Sequence, residues 1–273
     1  MKDSKAQLPI GIFDSGIGGI SVLAELIKIL PKEKFIYYAD TLNTPYGIKS
    51  EETIQSLTIQ ATNFLSFMGI KSLVVACNTA TSVAIDKIRN ICTFPVIGME
   101  PAIKTATKLD LPGKIIIMAT PLTLGSKKFN SLACHYKHVA EIIPFPCTGL
   151  VEIIEEGYIM GYKIERYLAN LFSSIRKDEI SAIVLGCTHY ILIKKEITKI
   201  TGSKIPVIDG NYGTAKHLEA VLKDKHLLNN TMAEKPLAPL KANIQFYTSK
   251  NEKKEETLIR FKQLLFTEGI ICE

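Results

Sequence analysis

The chain has 273 residues, of which 47% are hydrophobic and 22% are charged, a globular composition that excludes a disordered chain. The net charge is +6, but the lysines are dispersed along the chain and form no basic stripe with interleaved aromatic residues. We therefore expect no nucleic-acid partner. The length is sufficient for two domains, each with its own hydrophobic core.

The distribution of apolar residues and cysteines predicts a cytoplasmic protein. No apolar run reaches the ~18–20 residues that a membrane span requires, so we expect no membrane association. The first residues show no signal-peptide hydrophobic region before the first predicted strand. In a cytoplasmic protein we expect thiols, not disulfides, and no Cys-x-x-Cys motif is present. The six cysteines are Cys77, Cys92, Cys134, Cys147, Cys187 and Cys272.

The first half of the chain alternates predicted strands and helices. A strand at 8–13 leads into a glycine-rich loop at 14–19, which can bind an anion through backbone N–H groups before the next helix. The dinucleotide fingerprint is absent, and Asp14 would repel a phosphate, so a ligand with both a carboxylate and an ammonium group fits better. A tight turn that serves only packing is the alternative. Further strands are predicted at 35–39, 72–76 and 94–99, and helices at about 20–30, 51–68 and 80–90.

The second half continues the same alternation. Strands are predicted at 114–118, 142–143, 181–186 and 207–208, and helices at about 126–134, 149–157 and 161–174. A tail follows, with a helix at about 213–223, a loop at 224–241, a strand at 243–248 and an amphipathic helix at about 252–266. This tail is too small for a third domain, so we expect it to pack on the first half.

Two cysteines stand at matched positions in the two halves. Cys77 and Cys187 each follow an apolar strand. Cys77 comes 63 residues after Asp14, and Cys187 comes 67 residues after Thr120; Asp14 and Thr120 are both polar residues at the end of a predicted strand. The repeat predicts an α/β fold with two similar domains related by a pseudo-twofold axis. Because ligands of open α/β sheets bind at the carboxyl ends of the strands, we expect both thiols to flank one small ligand in the cleft between the domains.

Two thiols on opposite faces of one carbon suit proton removal and return. A thiol has a pKa near ~8.5, so one can serve as thiolate base and the other as thiol acid. A helix start after each cysteine favours the thiolate. Asp14 near Cys77 and His189 near Cys187 are candidates to exchange protons with the thiols. A lone strand-end cysteine would more simply be a small buried apolar residue, and a lone histidine a core or helix-start residue. The matched positions of Cys77 and Cys187 in the two halves favour a catalytic role for these two thiols. We interpret the other four cysteines as structural: Cys92, Cys134, Cys147 and Cys272.

Four motifs together resemble the glutamate racemase family. They are Phe-Asp-Ser-Gly-Ile-Gly-Gly at 13–19, Pro-Tyr-Gly at 45–47, Ala-Cys-Asn-Thr-Ala-Thr at 76–81 and Leu-Gly-Cys-Thr-His-Tyr at 185–190. The resemblance implies a cofactor-independent isomerase that supplies D-glutamate for bacterial peptidoglycan, with no metal, pyridoxal or nucleotide. It also implies a domain of residues 1–97 plus 209–273, into which a second domain of residues 98–208 is inserted, and a homodimer of variable geometry.

The resemblance also implies roles for individual residues. Cys187 would take the proton from L-glutamate and Cys77 from D-glutamate, while Asp14, His189 and Glu155 would assist. Glu152, one turn earlier, is not excluded in place of Glu155. The implied substrate-binding residues are Asp14, Ser15, Tyr46, Gly47, Asn78, Thr79, Thr120, Thr123, Thr188 and His189.

Three other interpretations remain open from the sequence. The first is a sibling racemase for aspartate or hydantoins, although the loop at 14–19 differs from theirs. The second is a non-catalytic binding or inhibitor protein on the same scaffold, which the presence of both thiols disfavours. The third is a metal protein with Cys77, Cys187 and His189 as ligands, which would bring the two thiols within ~4 Å of each other.

Overall fold

The computed structural model describes residues 5–229, 243–250, 252 and 254–267. The chain divides into two compact units: unit 1 consists of Met1–Met99 and Asn211–Glu273, and unit 2 of Glu100–Gly210. Among the described residues each unit contains one sheet, and every strand pair in both sheets is parallel. Cys272 and most of the predicted loop at 224–241 lie outside the described residues.

Strands and helices alternate through most of the described chain. The strands are β1 (Ile10–Asp14), β2 (Phe35–Ala39), β3 (Ser72–Val75), β4 (Val96–Gly98), β5 (Lys114–Ala119), β6 (Glu141–Pro146), β7 (Ile180–Leu185), β8 (Val207–Ile208) and β9 (Ile244–Thr248). The helices are α1 (Ile20–Ile29), α2 (Glu51–Phe67), α3 (Asn78–Ile91), α4 (Ile103–Thr107), α5 (Pro121–Gly125), α6 (Lys127–Tyr136), α7 (Leu150–Glu155), α8 (Tyr162–Phe172), α9 (Thr188–Ile191), α10 (Lys194–Thr201), α11 (Asn211–Asp224) and α12 (Lys254–Thr267). Short 3-10 turns occur at Tyr46–Ile48 and Lys177–Glu179.

The sheet of unit 1 has the strand order β4-β3-β1-β2-β9. Its central strands β1 and β3 are mostly apolar and are buried along their whole length, as expected for parallel strands that helices cover on both faces. The tail of the chain completes this unit, because β9 pairs with β2 and both α11 and α12 pack against α1. The prediction that the tail packs on the first half is confirmed.

The sheet of unit 2 has the strand order β6-β5-β7-β8. A core of Ile115, Ile117 and Val184 from the sheet packs with Ile103 of α4 and Phe129 of α6. The predicted strand at 142–143 extends over all of β6, including two prolines. Proline is tolerated there because β6 is an edge strand and one side of its backbone has no ladder partner.

The predicted α/β fold class, with parallel sheets in two units, is confirmed. The helix predicted at about 80–90 begins earlier, at Asn78, so that Cys77 becomes its N-cap residue. The short helices α4, α5 and α10 have no counterpart among the predictions, because segments of five to eight residues show too little periodicity. Helix α9 begins at Thr188 and is the helix start predicted after Cys187. No helix in the described part of the chain is both long and apolar enough to span a membrane.

Candidate functional site

Asp14 and the glycine loop after it form the first part of the site in unit 1. Asp14 ends β1 and is fully buried, and its Oδ1 accepts a hydrogen bond of 2.9 Å from the N–H of Gly16. A Cβ on Gly19 would come within 2.5 Å of the Asp14 Cβ, so only glycine fits there. The glycine loop therefore serves to close tightly around this carboxylate.

Cys77 lies at the same edge of the sheet, because β1 and β3 are parallel neighbours. It is buried, and its Sγ accepts the N–H of Ala80 at 3.4 Å and the hydroxyl of Ser15 at 3.4 Å. A cysteine that caps the 14-residue helix α3 also experiences the positive end of the helix dipole. Two hydrogen-bond donors and this dipole favour the thiolate form of Cys77.

The first residues of α3 present further polar groups beside the thiol. Asn78 and Thr79 are both 4% exposed. The Oδ1 atom of Asn78 is buried and has no hydrogen-bond partner among the described residues. Because buried polar atoms are nearly always paired, this acceptor is suited to a donor group on a ligand.

Tyr46 is held in place by Asp40, which lies outside the four sequence motifs. The hydroxyl of Tyr46 donates to Asp40 Oδ2 at 2.6 Å, and the Asn43 amide donates to both oxygens of the same carboxylate at 2.9 and 3.1 Å. Burial first, and then the charge of Asp40, raise the pKa of Tyr46, so its hydroxyl stays protonated. Gly47 follows in the same 3-10 turn. The only sequence signal for Asp40 was its position at the end of β2.

Unit 2 carries the second thiol within a chain of three side chains. Cys187 is buried just after β7, and its Sγ lies 3.9 Å from His189 Nδ1. The other ring nitrogen of His189, Nε2, lies 2.5 Å from Glu155 Oε1. Of the two glutamates that the sequence left open, Glu155 is the one in contact with His189, and Glu152 is not part of this chain of contacts.

The surroundings of His189 favour its charged form. Burial alone would lower the pKa of His189, but hydrogen bonds to Cys187 and Glu155, together with their charges, raise the pKa well above its usual value. The geometry therefore suits an imidazolium that donates one hydrogen bond to Glu155 and one to Cys187.

The raised pKa of His189 predicts a pH-dependent stability. Its contribution is complete below the ordinary histidine pKa of 6.5 and is lost as the pH rises through the higher folded-state value. We expect the free energy of unfolding to fall above about pH 6.5, by at most ~1.4 kcal/mol per pH unit from this group. Urea titrations between pH 6 and 9 should show a shallower fall for His189→Gln. A matched control, His135→Gln at an exposed position, should follow the unmodified chain. Identical profiles for all three proteins would contradict the prediction.

Three threonines of unit 2 lie at the carboxyl edge of the sheet that also carries the second thiol. Thr120 follows β5, the neighbour of β7, and caps α5 by accepting the Thr123 N–H at 3.3 Å. The hydroxyl oxygens of Thr120 and Thr123 lie 2.9 Å apart. Thr188 is buried directly after Cys187. Unit 2 thus brings hydroxyls to the same carboxyl edge of the sheet as its thiol.

Tyr190 and Cys147 are two residues near Cys187 whose contacts the sequence did not reveal. Tyr190 is fully buried, and its hydroxyl donates to the carbonyl oxygen of Cys147 at 3.2 Å. This bond ties α9 to the loop that leads into α7, the helix of Glu155. Burial first, and then the charge of Cys187, raise the pKa of Cys147, so it stays a thiol. Its interpretation as structural agrees with this.

The described residues offer no evident metal-ligand group. Among them, no three or more His, Cys, Asp or Glu side chains are grouped so that they could hold a metal ion. The metal-protein interpretation therefore gains no support from the geometry.

Comparisons with known proteins agree on one family. The model of the family described as Asp/Glu/Hydantoin racemase matches residues 10–218. A glutamate racemase of Clostridium botulinum (strain 657 / Type Ba4) is 52% identical over 220 residues, which cover 81% of this chain and 86% of the relative.

Solved structures show the same likeness. Glutamate racemase from Francisella tularensis, in complex with D-glutamate, has a TM-score of 0.79 at 33% identity and covers 94% of both chains. Escherichia coli glutamate racemase, in complex with L-glutamate and the activator UDP-MurNAc-Ala, has a TM-score of 0.80 at 26% identity. That match covers 94% of this chain and 95% of the other.

Proposed function

The chain belongs to the Asp/Glu/Hydantoin racemase family, and from this membership we propose that it interconverts L-glutamate and D-glutamate, with Cys77 and Cys187 as the two bases. The predicted resemblance to glutamate racemase is confirmed by relatives that share about half of their residues with this chain over most of its length. The observation that carries the two-base assignment is that each unit has, at the carboxyl edge of its parallel sheet, a buried thiol in contact with a polar side chain: Cys77 with Ser15, and Cys187 with His189.

The proposed reaction is a proton exchange at the α-carbon. With L-glutamate bound, the thiolate of Cys187 accepts the α-proton as the C–H bond breaks and an S–H bond forms. The thiol of Cys77 gives its proton to the opposite face, which leaves D-glutamate and a Cys77 thiolate. The reverse direction begins at Cys77. General acid–base groups of this kind contribute about 10²- to 10⁴-fold each.

The surrounding groups suit the thiolate that each cysteine forms during the reaction. His189 and Glu155 stabilise the thiolate of Cys187, whereas Ser15 and the α3 amide of Ala80 do so for Cys77. The remaining polar groups supply hydrogen bonds to the zwitterion and its second carboxylate. We assign this binding role to Asp14, Tyr46, Gly47, Asn78, Thr79, Thr120, Thr123 and Thr188.

The proposal has a direct test in proton NMR. Purified protein with L-glutamate in deuterium oxide should lose the α-proton signal while the circular dichroism of the amino acid decays, without any added cofactor. Parallel samples contain L-aspartate, or L-glutamate with UDP-MurNAc-Ala, the activator in the Escherichia coli structure. Turnover of aspartate alone would contradict the substrate assignment. Absence of turnover in every sample would contradict the proposed racemisation.

Three further proposals follow the family. The D-glutamate formed would supply peptidoglycan synthesis in the cytoplasm. The two units would be two domains that contribute one thiol each to a single site. The chain would form a homodimer, which sedimentation of the purified protein would test by giving twice the 30.2 kDa chain mass.

A further inference from the structure

Unit 1 contains a cavity of about 490 Å³ at the end of its sheet that is remote from Cys77. Its lining includes Leu8, Ile70 and Pro95, which come just before β1, β3 and β4 respectively. Since these strands are parallel, the cavity lies at their amino ends, whereas Asp14 and Cys77 lie at their carboxyl ends. A five-residue strand such as β1 separates the two places by about 15 Å. We call this the amino-end cavity.

The lining of the amino-end cavity combines apolar walls with positive charge. Phe94 and Leu227 supply apolar surface in addition to the three strand-flanking residues. Lys5, Lys71 and Lys225 also line it, and none of the described lining residues is acidic. The ammonium of Lys71 is already paired with Glu33, so the exposed Lys5 and Lys225 supply the positive charge.

We propose that the amino-end cavity binds a small organic anion with an apolar body, such as an aromatic carboxylate or sulfonate. Its volume falls within the range of about 300–1,000 Å³ that is typical of small-molecule sites. An apolar body would be desolvated against the walls, and the anionic group would lie near Lys5 and Lys225. Glutamate lacks such a body and would gain little here. The proposal is independent of the racemase assignment, because it concerns the opposite end of the sheet.

The experiment uses anilinonaphthalene sulfonate, an aromatic anion that fluoresces in apolar surroundings, with the full-length protein. Phenylnaphthylamine, which lacks the sulfonate, is the uncharged counterpart. We expect the anion to bind with unchanged affinity in the presence of excess D-glutamate. Lys225→Glu should weaken binding of the anionic probe by about tenfold and leave binding of the uncharged probe unaffected, because only the charge complementarity changes. Lys223→Glu is the matched control, because Lys223 is exposed, lies two residues away and does not line the cavity. This variant should change the affinity for neither probe.

A second variant tests occupancy of the cavity itself. Cys92 lines the cavity, and Cys92→Trp should occupy part of it and weaken binding of both probes. Circular dichroism verifies that each variant is folded. Displacement of the probe by glutamate would assign the binding to the other end of the sheet and overturn the proposal. Equal weakening by Lys223→Glu and Lys225→Glu, undiminished binding to folded Cys92→Trp, or no binding to the unmodified chain would overturn it as well.

Discussion

Replacing Cys77 with serine is expected to lower kcat for glutamate racemisation by about 10²- to 10⁴-fold, because a serine hydroxyl cannot act as a thiolate base near neutral pH. The fold should persist, since the hydroxyl is smaller than the thiol and can still cap α3 by accepting the Ala80 N–H. Circular dichroism of glutamate measures racemisation, and that of the protein measures folding. The same loss is expected for Cys187→Ser.

Isotope exchange makes this prediction specific to two bases. In deuterium oxide, Cys77→Ser should still exchange the α-proton of L-glutamate, because Cys187 remains, yet form almost no D-glutamate. Cys187→Ser should show the mirror-image behaviour with D-glutamate. The matched controls are Cys92→Ala in unit 1 and Cys134→Ala in unit 2, which should retain activity. Near-normal racemisation by either serine variant would contradict the two-base mechanism.

Replacing Lys71 with methionine is expected to cost about 3–5 kcal/mol of the free energy of unfolding. The side chains of Lys71 and Glu33 are only 1% and 2% exposed and form an ion pair. Lys71 Nζ also donates to the carbonyl oxygens of Ala6 and Leu227, at 2.5 and 2.9 Å. Burial lowers the pKa of Lys71, and Glu33 opposes this shift. Methionine would leave the carboxylate buried without its counter-charge, and urea unfolding followed by circular dichroism measures the loss.

A double variant distinguishes the lost pair from lost packing. Lys71→Met combined with Glu33→Leu removes both charges and should be more stable than Lys71→Met alone, because no isolated charge remains buried. The matched control is Lys114→Met. The side chains of Lys114 and Glu179, which form an ion pair, are 34% and 39% exposed. That change should cost less than about 1 kcal/mol, since water screens the pair. Equal losses for Lys71→Met and Lys114→Met would show that burial of the pair has no special role.

Much of the fold could be predicted because parallel sheets have a strong local signal. Their strands are buried on both faces, so strands such as β3 and β7 are short apolar runs in the sequence. Glycine or polar residues that end each run then locate the carboxyl edge, where Asp14, Cys77 and Cys187 lie. The candidate site residues at strand ends could be predicted from the sequence for the same reason.

Only the tertiary structure decided which distant groups meet. The resemblance favoured Glu155 without excluding Glu152, and packing of α7 against α9 brings Glu155 to His189. The pairing of Lys71 with Glu33, 38 residues apart, and the bond from Tyr190 to the Cys147 carbonyl left no signal in the sequence.

The sequence by itself therefore determined the fold class, the family and the strand-end positions of the two thiols, because these depend on hydrophobic pattern and local motifs. The tertiary structure decided the hydrogen-bond partners, the buried ion pair and the amino-end cavity. Those features depend on side-chain contacts between elements that are far apart in the chain, and no local pattern encodes such contacts.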